Sequence, residues 1–253
     1  MARPAKYPFL EHQGLLAFAH RGGALEAPEN TMRAFAYAIG LGYRYLETDA
    51  YATREGVLIS FHDDKLDRVT DATGLIEALT WGEISRARIG GSEPVPLLEE
   101  LLAQWPDARI NIDPKHDAAV APLIALIKRM GAEKRVCIGS FSNKRIRQVQ
   151  DAFDGRVCTS LGPASVIRLK SGLSLRGFRE GCAQVPVKAG KVRLVTRRFV
   201  EAAERCGLQV HVWTIDEEAE MNRLIDLGVH GLMTDRPALL KRVLSERGLW
   251  GGD

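Results

Sequence analysis

The sequence predicts an α/β fold, a (β/α)8 barrel with a β-hairpin and a short helical insertion after strand 2. Three observations predict it. Short apolar, β-rich runs alternate with helical patterns along the whole chain, as parallel βαβ units require. One link in that alternation is too short to cross between parallel strands. The chain has 253 residues with no low-complexity linker and no break in composition, which fits a single barrel domain over 1–253.

Residues 15–19 read as the first strand, followed by a helix over 30–39 with Asn30 or Thr31 as its cap. Strands at 43–49 and 57–61 come next, then a turn-rich segment, helical patterns at 81–88 and 96–105, and a strand at 109–113. Beyond that point strands at 136–140, 157–161, 182–187, 209–214 and 231–234 alternate with helices near 119–130, 144–153, 164–169, 197–205 and 217–227, and a helix at 238–247 ends the pattern. The count is one strand too many for eight. The link from Asp49 to Val57 resolves it: a parallel crossover needs about a dozen residues or more, so 57–61 must return antiparallel as a hairpin arm. Glu55-Gly56 resembles a two-residue turn, which would pair Arg54 with Val57 and set His62 opposite Asp49.

Net charge is +3, so the bulk balance gives no sign of a nucleic-acid partner. Residues 168–198 hold nine Lys or Arg and one acid, Glu180, either a solvated barrel face or a positive rim for an anionic substrate or lipid surface. Cys137, Cys158, Cys182 and Cys206 lie far apart beside apolar runs, which predicts buried thiols rather than disulfides or zinc ligands. The N-terminal residues lack a signal-peptide h-region, and no apolar run reaches the roughly 18 residues of a membrane span, so the expected location is cytoplasmic, with at most peripheral lipid contact.

In such a barrel the active site sits at the C-terminal ends of the strands. Those ends carry His20-Arg21, Glu47 and Asp49, His62-Asp63, Asp113 with Lys115, Ser140-Phe141, Trp213 and Asp235. Glu47 and Asp49 are two residues apart on one strand, so both side chains point the same way. Paired carboxylates are costly without a cation, and their hard oxygens suit Mg²⁺ or Ca²⁺ better than zinc. His20 and His62 titrate near neutrality and can act as general acid and base, while Arg21 and Lys115 supply fixed cations for a phosphate group. Together these residues point to phosphoryl chemistry on a diester with a metal as electrophile.

The ordered set Ala19-His20-Arg21-Gly22-Gly23, Pro28-Glu29-Asn30-Thr31, Glu47-x-Asp49, His62-Asp63, Leu66-Asp67-Arg68, Ser140-Phe141, Val212-Trp213-Thr214 and Thr234-Asp235-Arg236-Pro237 resembles the glycerophosphodiester phosphodiesterase family from about 17 to 240. The resemblance implies a TIM-type barrel that hydrolyses glycerophosphodiesters to glycerol 3-phosphate and an alcohol. It implies Glu47, Asp49 and Asp113 as ligands of one divalent cation (Mg²⁺, Ca²⁺ or Mn²⁺), His20 and His62 as the acid/base pair, and Arg21 and Lys115 on the phosphate. Trp213 would line the head-group pocket or pack in the barrel core. Pro28–Thr31 reads as a turn and helix cap. The alternatives are a phospholipase-like route through a cyclic phosphate and a catalytically weak phosphodiester-binding barrel. Two positions depart from the family pattern: Asp113 stands where Glu is usual, and His230 where Asp is usual before the glycine of the last strand.

Overall fold

The computed structural model describes residues 5–172 and 177–251. In chain order its principal strands are β1 (Leu16–Ala19), β2 (Tyr45–Ala52), β3 (Leu58–Ser60), β4 (Arg109–Pro114), β5 (Val136–Ile138), β6 (Cys158–Thr159), β7 (Cys182–Pro186), β8 (Gln209–Trp213) and β9 (Gly231–Thr234). The helices are α1 (Met32–Gly40), α2 (Trp81–Ile84), α3 (Leu98–Gln104), α4 (Val120–Met130), α5 (Asn143–Ala152), α6 (Pro163–Ser171), α7 (Arg197–Arg205), α8 (Glu218–Leu227) and α9 (Pro237–Glu246). Eight strands pair in parallel in the order β6-β5-β4-β2-β1-β9-β8-β7, and a parallel bridge between Ser160 and Cys182 joins the two ends of that row. The result is a nearly closed (β/α)8 barrel of the TIM type.

β3 pairs with β2, antiparallel, as its short link demands, and a further bridge joins its Ile59 to Leu97. Its register differs from the expected one. Ala50 faces Ser60 and Ala52 faces Leu58, which sets Thr48 rather than Asp49 against position 62. The turn is the reason. Thr53 N donates to Val57 O at 2.9 Å, and Arg54-Glu55-Gly56 forms a three-residue loop, with Gly56 at φ +83° where a side chain would be strained. One extra turn residue slips the pairing by one. His62 still reaches the site because it lies past the end of β3, outside the strand's alternation. The segment between β3 and α3 holds α2 and folds over Tyr51, Ile59, Phe61, Leu66, Ile76 and Ile84, a small core of its own.

The main core lies between the barrel and its helices, and a second cluster fills the barrel floor with Tyr7, Phe9, Leu16, Phe18, Tyr45 and Met233. Cys137, Cys158 and Cys182 belong to this floor cluster, so the thiols far apart in sequence converge in space; Cys206 is only partly buried. In the basic stretch, residues 173–176 lie outside the described residues. Elsewhere in it Lys170 donates to Arg193 O at 2.9 Å and Arg179 meets Asp151 of α5 at 2.9 Å, so these two cations are tied to neighbouring segments. Among the described residues no helix is long and apolar enough to cross a membrane.

His230 ties the start of β9 to β8. It sits just before β9, and its Nδ1 accepts from Val210 N at 3.1 Å, while its own N–H donates to Val210 O at 2.8 Å. An imidazole lone pair thus fills the acceptor role that a carboxylate would fill. Burial, with His211 adding to it, holds His230 down at about 4. The unfolded chain, at about 6.5, therefore binds the proton first as pH falls, and stability is lost between about 6.5 and about 4. His230 is expected to make the fold weaker at pH 4 than at pH 7 by roughly 2–3 kcal/mol, discounted for its partial exposure. His230→Asp keeps an acceptor that stays ionised through this window, so urea unfolding of this variant should show a flatter pH dependence than wild type between pH 7 and 5. Equal slopes would remove His230 from the acid response.

Candidate active site

At the C-terminal end of the barrel is a cavity of about 420 Å³ lined by all eight residues singled out from the sequence: His20, Arg21, Glu47, Asp49, His62, Asp113, Lys115 and Trp213. β1 ends in a tight turn, His20–Gly22, with Arg21 at φ +51°. Gly22 allows it: at φ +82°, a Cβ there would sit 2.7 Å from Ala34 Cβ in α1. α1 in turn is capped by Thr31, whose hydroxyl accepts from Ala34 N and donates to Pro28 O. Asn30, at φ +55°, donates to Asp49 Oδ2 at 3.1 Å and accepts from Thr48 Oγ1 at 2.8 Å. The Pro28–Thr31 segment, read from sequence as mostly structural, a turn and cap, also holds a cavity carboxylate.

Both histidines are backed by an aspartate. His20 Nδ1 lies 2.7 Å from Asp235 Oδ1, and its Nε2 lies 3.7 Å from Glu47 Oε2. Burial works against charge on His20, but Glu47 and then Asp235 outweigh it and hold the imidazole above its ordinary value. His62 Nδ1 lies 2.6 Å from Asp63 Oδ1, yet burial, only partly offset by Asp49 and Asp63, holds His62 below its ordinary value. Asp63 is itself engaged: hydrogen bonds from Arg68 bring its carboxyl to about 2. Arg68 also grips Glu29 with two bonds, at 2.9 and 2.7 Å, and Glu29 accepts from Arg21 Nη1 at 3.1 Å. A continuous chain of pairs therefore runs from Arg21 through Glu29, Arg68 and Asp63 to His62.

Asp63, Arg68, Glu29 and Asp235 stand in the motifs quoted above but had no site role from sequence alone. A signal for Asp235 was present: once eight strands close, β9 neighbours β1, and the register Ala19 to Thr234 places position 235 beside position 20.

Asp49 and Asp113 sit at one level, and Glu47 lies two residues below Asp49 on β2. β2 and β4 pair Glu47 with Asn111 and Asp49 with Asp113. Lys115 Nζ lies 2.9 Å from Asp49 Oδ1 and 3.1 Å from Asp113 Oδ2. Arg21 Nε lies 3.2 Å from Asp49 Oδ2 as a charge contact without hydrogen-bond alignment. Burial opposes ionisation of Asp49, but Lys115, Arg21 and His62 hold its carboxyl below the usual range. Burial raises Asp113 to about 6, with Lys115 opposing and Asp49 adding to the rise. Burial likewise raises Glu47 to about 7 against the pull of His20. Two carboxyls pushed toward protonation mark a cluster short of positive charge, and hard oxygen donors in that condition fit a Mg²⁺- or Ca²⁺-class ion. Among the described residues the three acids do not bring one oxygen each within 4.8 Å of one another, because the Lys115 ammonium stands between two of them.

The opposite wall is apolar: Leu161, Val166, Ile167, Pro186, Leu194 and Trp213 line it. Trp213 packs edge-on against Phe141 at 5.8 Å and also touches the floor cluster, so it is both cavity wall and core. Phe141 and Ile167, each 69% exposed, stand at the mouth.

A family model described as the glycerophosphoryl diester phosphodiesterase family matches residues 20–239. The chain is similar to a protein named probable glycerophosphodiester phosphodiesterase 2 from Mycobacterium tuberculosis, 39% identical with 96% of each chain covered. It is 30% identical to a glycerophosphodiester phosphodiesterase from Caldanaerobacter subterraneus subsp. tengcongensis, covering 92% of this chain and 99% of the relative. Its fold is similar to a crystal structure of a glycerophosphoryl diester phosphodiesterase-type protein from Silicibacter pomeroyi, with a TM-score of 0.81, 23% identity and coverage of 95% and 97%. With the motif residues gathered on one barrel rim and the profile spanning nearly the whole chain, the protein belongs to the glycerophosphoryl diester phosphodiesterase family and is a phosphodiesterase.

Proposed function

We propose that the chain hydrolyses glycerophosphodiesters to glycerol 3-phosphate and an alcohol, with His20 and His62 as its acid/base pair and a divalent cation as cofactor. The observation that carries the proposal is a single cavity faced by two aspartate-backed imidazoles and the cations Arg21 and Lys115. Each aspartate fixes its imidazole with Nδ1 as donor, which leaves Nε2 for the substrate. His62 takes a proton from the attacking water as the new P–O bond forms. His20, which faces two carboxylates and is held nearer its charged form, gives its proton to the departing alkoxide as the old P–O bond breaks. Arg21 and Lys115 hold the phosphoryl oxygens. Glu47, Asp49 and Asp113 are the residues that would hold the cation, which when bound supplies Lewis-acid stabilisation of phosphoryl charge.

The apolar wall favours a substrate whose glycerol carries hydrocarbon, as in a lysophospholipid. A panel of glycerophosphocholine, glycerophosphoethanolamine, glycerophosphoinositol and a lysophospholipid, assayed with Mg²⁺, Ca²⁺ or Mn²⁺, tests both readings. Release of glycerol 3-phosphate from the small diesters is expected, and its lysolipid counterpart should form with the higher kcat/KM. Accumulation of a cyclic phosphate would replace water by the substrate's own hydroxyl, and binding without turnover under every cation would overturn the proposal.

The Arg21-Glu29-Arg68-Asp63-His62 chain carries a further expectation. Arg68→Ala should lower kcat roughly tenfold by loosening His62, with little change in thermal stability because Arg68 is half exposed. Arg68→Lys should not restore the rate, since an ammonium cannot reproduce the two-sided fork between Glu29 and Asp63. An unchanged kcat in Arg68→Ala would show that Asp63 alone fixes His62.

A further inference from the structure

The floor of the barrel holds a group of side chains that the hydrolytic site does not use. Cys137, Cys158 and Cys182 come from three consecutive barrel strands, and all are buried. Their sulfur atoms lie within 4.8 Å of one another, and those of Cys137 and Cys182 are 3.8 Å apart. Sulfurs bound tetrahedrally to zinc at about 2.3 Å are themselves about 3.8 Å apart, so the Cys137–Cys182 spacing already matches a thiolate metal site. A disulfide would require about 2.05 Å.

A second observation points the same way. His211 on β8 is fully buried and interacts with the Cys182 thiol. Its Nε2 lies 3.1 Å from Gln209 Oε1, a carbonyl that can only accept. That bond places the ring proton on Nε2 and leaves Nδ1 as a bare lone pair, buried with no hydrogen-bond partner. Metal-bound histidines are commonly held in this way, the far nitrogen donating to an oxygen. Gly231 makes the room, since a Cβ there would sit 2.9 Å from His211 Cδ2.

We propose that Cys137, Cys158 and Cys182 form a structural metal site of the zinc class beneath the catalytic cavity, with the neighbouring His211, whose nitrogens are not within 4.8 Å of all three sulfurs, closing on the ion as fourth ligand. Three thiolates and an imidazole nitrogen are a common zinc set, softer than the oxygen cluster above. Binding releases the thiol protons to solvent. Tyr7, Phe9 and Leu10 close the floor, so the ion would be loaded as the chain folds and would resist removal from the native protein.

The test uses the full chain, purified under reducing conditions and washed with EDTA to strip the exchangeable catalytic cation. Elemental analysis is expected to find about one zinc per chain. Protein produced with Co²⁺ should show the near-ultraviolet thiolate-to-cobalt charge-transfer absorption, which oxygen ligands do not give. Cys182→Ala should weaken zinc binding by about 10-fold or more, measured against a chelating dye during unfolding, while Cys206→Ala serves as the unaffected control. If Cys182→Ala does not fold, the cobalt spectrum of the wild type decides alone. Four titratable thiols in unfolded protein without stoichiometric zinc, or a Cys137–Cys182 disulfide, would overturn the site.

Discussion

His20→Ala is expected to lower kcat/KM on an alkyl glycerophosphodiester roughly 10²–10⁴-fold, and His62→Ala by a similar factor, the usual worth of a positioned acid or base. The two losses should separate when the leaving group changes. A nitrophenyl ester expels an oxygen that needs little protonation, so it should recover much of the rate in the variant that lost the proton donor. With His20 held above its ordinary value by Glu47 and Asp235, and His62 held below by burial, rescue is expected in His20→Ala and not in His62→Ala. Asp235→Asn should imitate a weakened His20, because an amide supports neither the imidazolium nor the required tautomer. Circular dichroism and thermal melts of each variant separate lost chemistry from lost fold. If the nitrophenyl ester rescued His62→Ala instead, the donor and acceptor roles would be exchanged; near-wild-type rates on the alkyl ester would make that histidine structural.

The barrel was legible because its periodicity is local. Each strand and helix declares itself in a window of ten or so residues, and the hairpin arm followed from chain length alone, since no parallel crossover fits between Asp49 and Val57. The site residues were legible for a related reason: a barrel puts its chemistry at strand ends, and those ends can be read in order. What stayed hidden depends on partners far away in sequence or on fine turn geometry. A two-residue and a three-residue turn both fit Arg54-Glu55-Gly56, and only the backbone of Gly56 decides between them. Asp235 and His20 are 215 residues apart, and their contact requires knowing that the last strand lies beside the first. The three thiols each look like an isolated small apolar residue in its own strand, and only the closed ring brings them together. His230 is similar: its value as an acceptor depends on the Val210 N–H of the neighbouring strand.

Removing the divalent cation is expected to cost about 10²–10⁴-fold in rate, since Lewis-acid stabilisation of a phosphoryl group is worth several kcal/mol and each tenfold is about 1.4 kcal/mol. Activity that survives exhaustive chelation and dialysis would exclude a cation from the mechanism. Asp113 is the informative residue, because it is one methylene shorter than the family's usual glutamate and already bonds Lys115 at 3.1 Å. Two roles compete. If Asp113 binds the cation, Lys115 must yield its bridging position, and Asp113→Ala should weaken cation affinity by about 10–100-fold or more. Asp113→Glu should then keep most of the activity, the longer side chain reaching the ion directly. If Asp113 instead only steers Lys115 toward the phosphate, Asp113→Ala should raise KM and leave the cation midpoint in place. Glu47→Gln gives a reference for a lost ligand: its carboxyl, raised to about 7 by burial, lies at the same rim and accepts from Arg21 N at 3.0 Å. Isothermal titration of Mg²⁺ and Ca²⁺ into wild type, Asp113→Ala, Asp113→Glu and Glu47→Gln, set beside initial rates at graded cation, separates the two roles. A shift in the alanine variant comparable to that of Glu47→Gln assigns Asp113 to the ion. An unshifted midpoint with a raised KM assigns it to Lys115, and leaves Glu47 and Asp49 as the carboxylates that hold the metal.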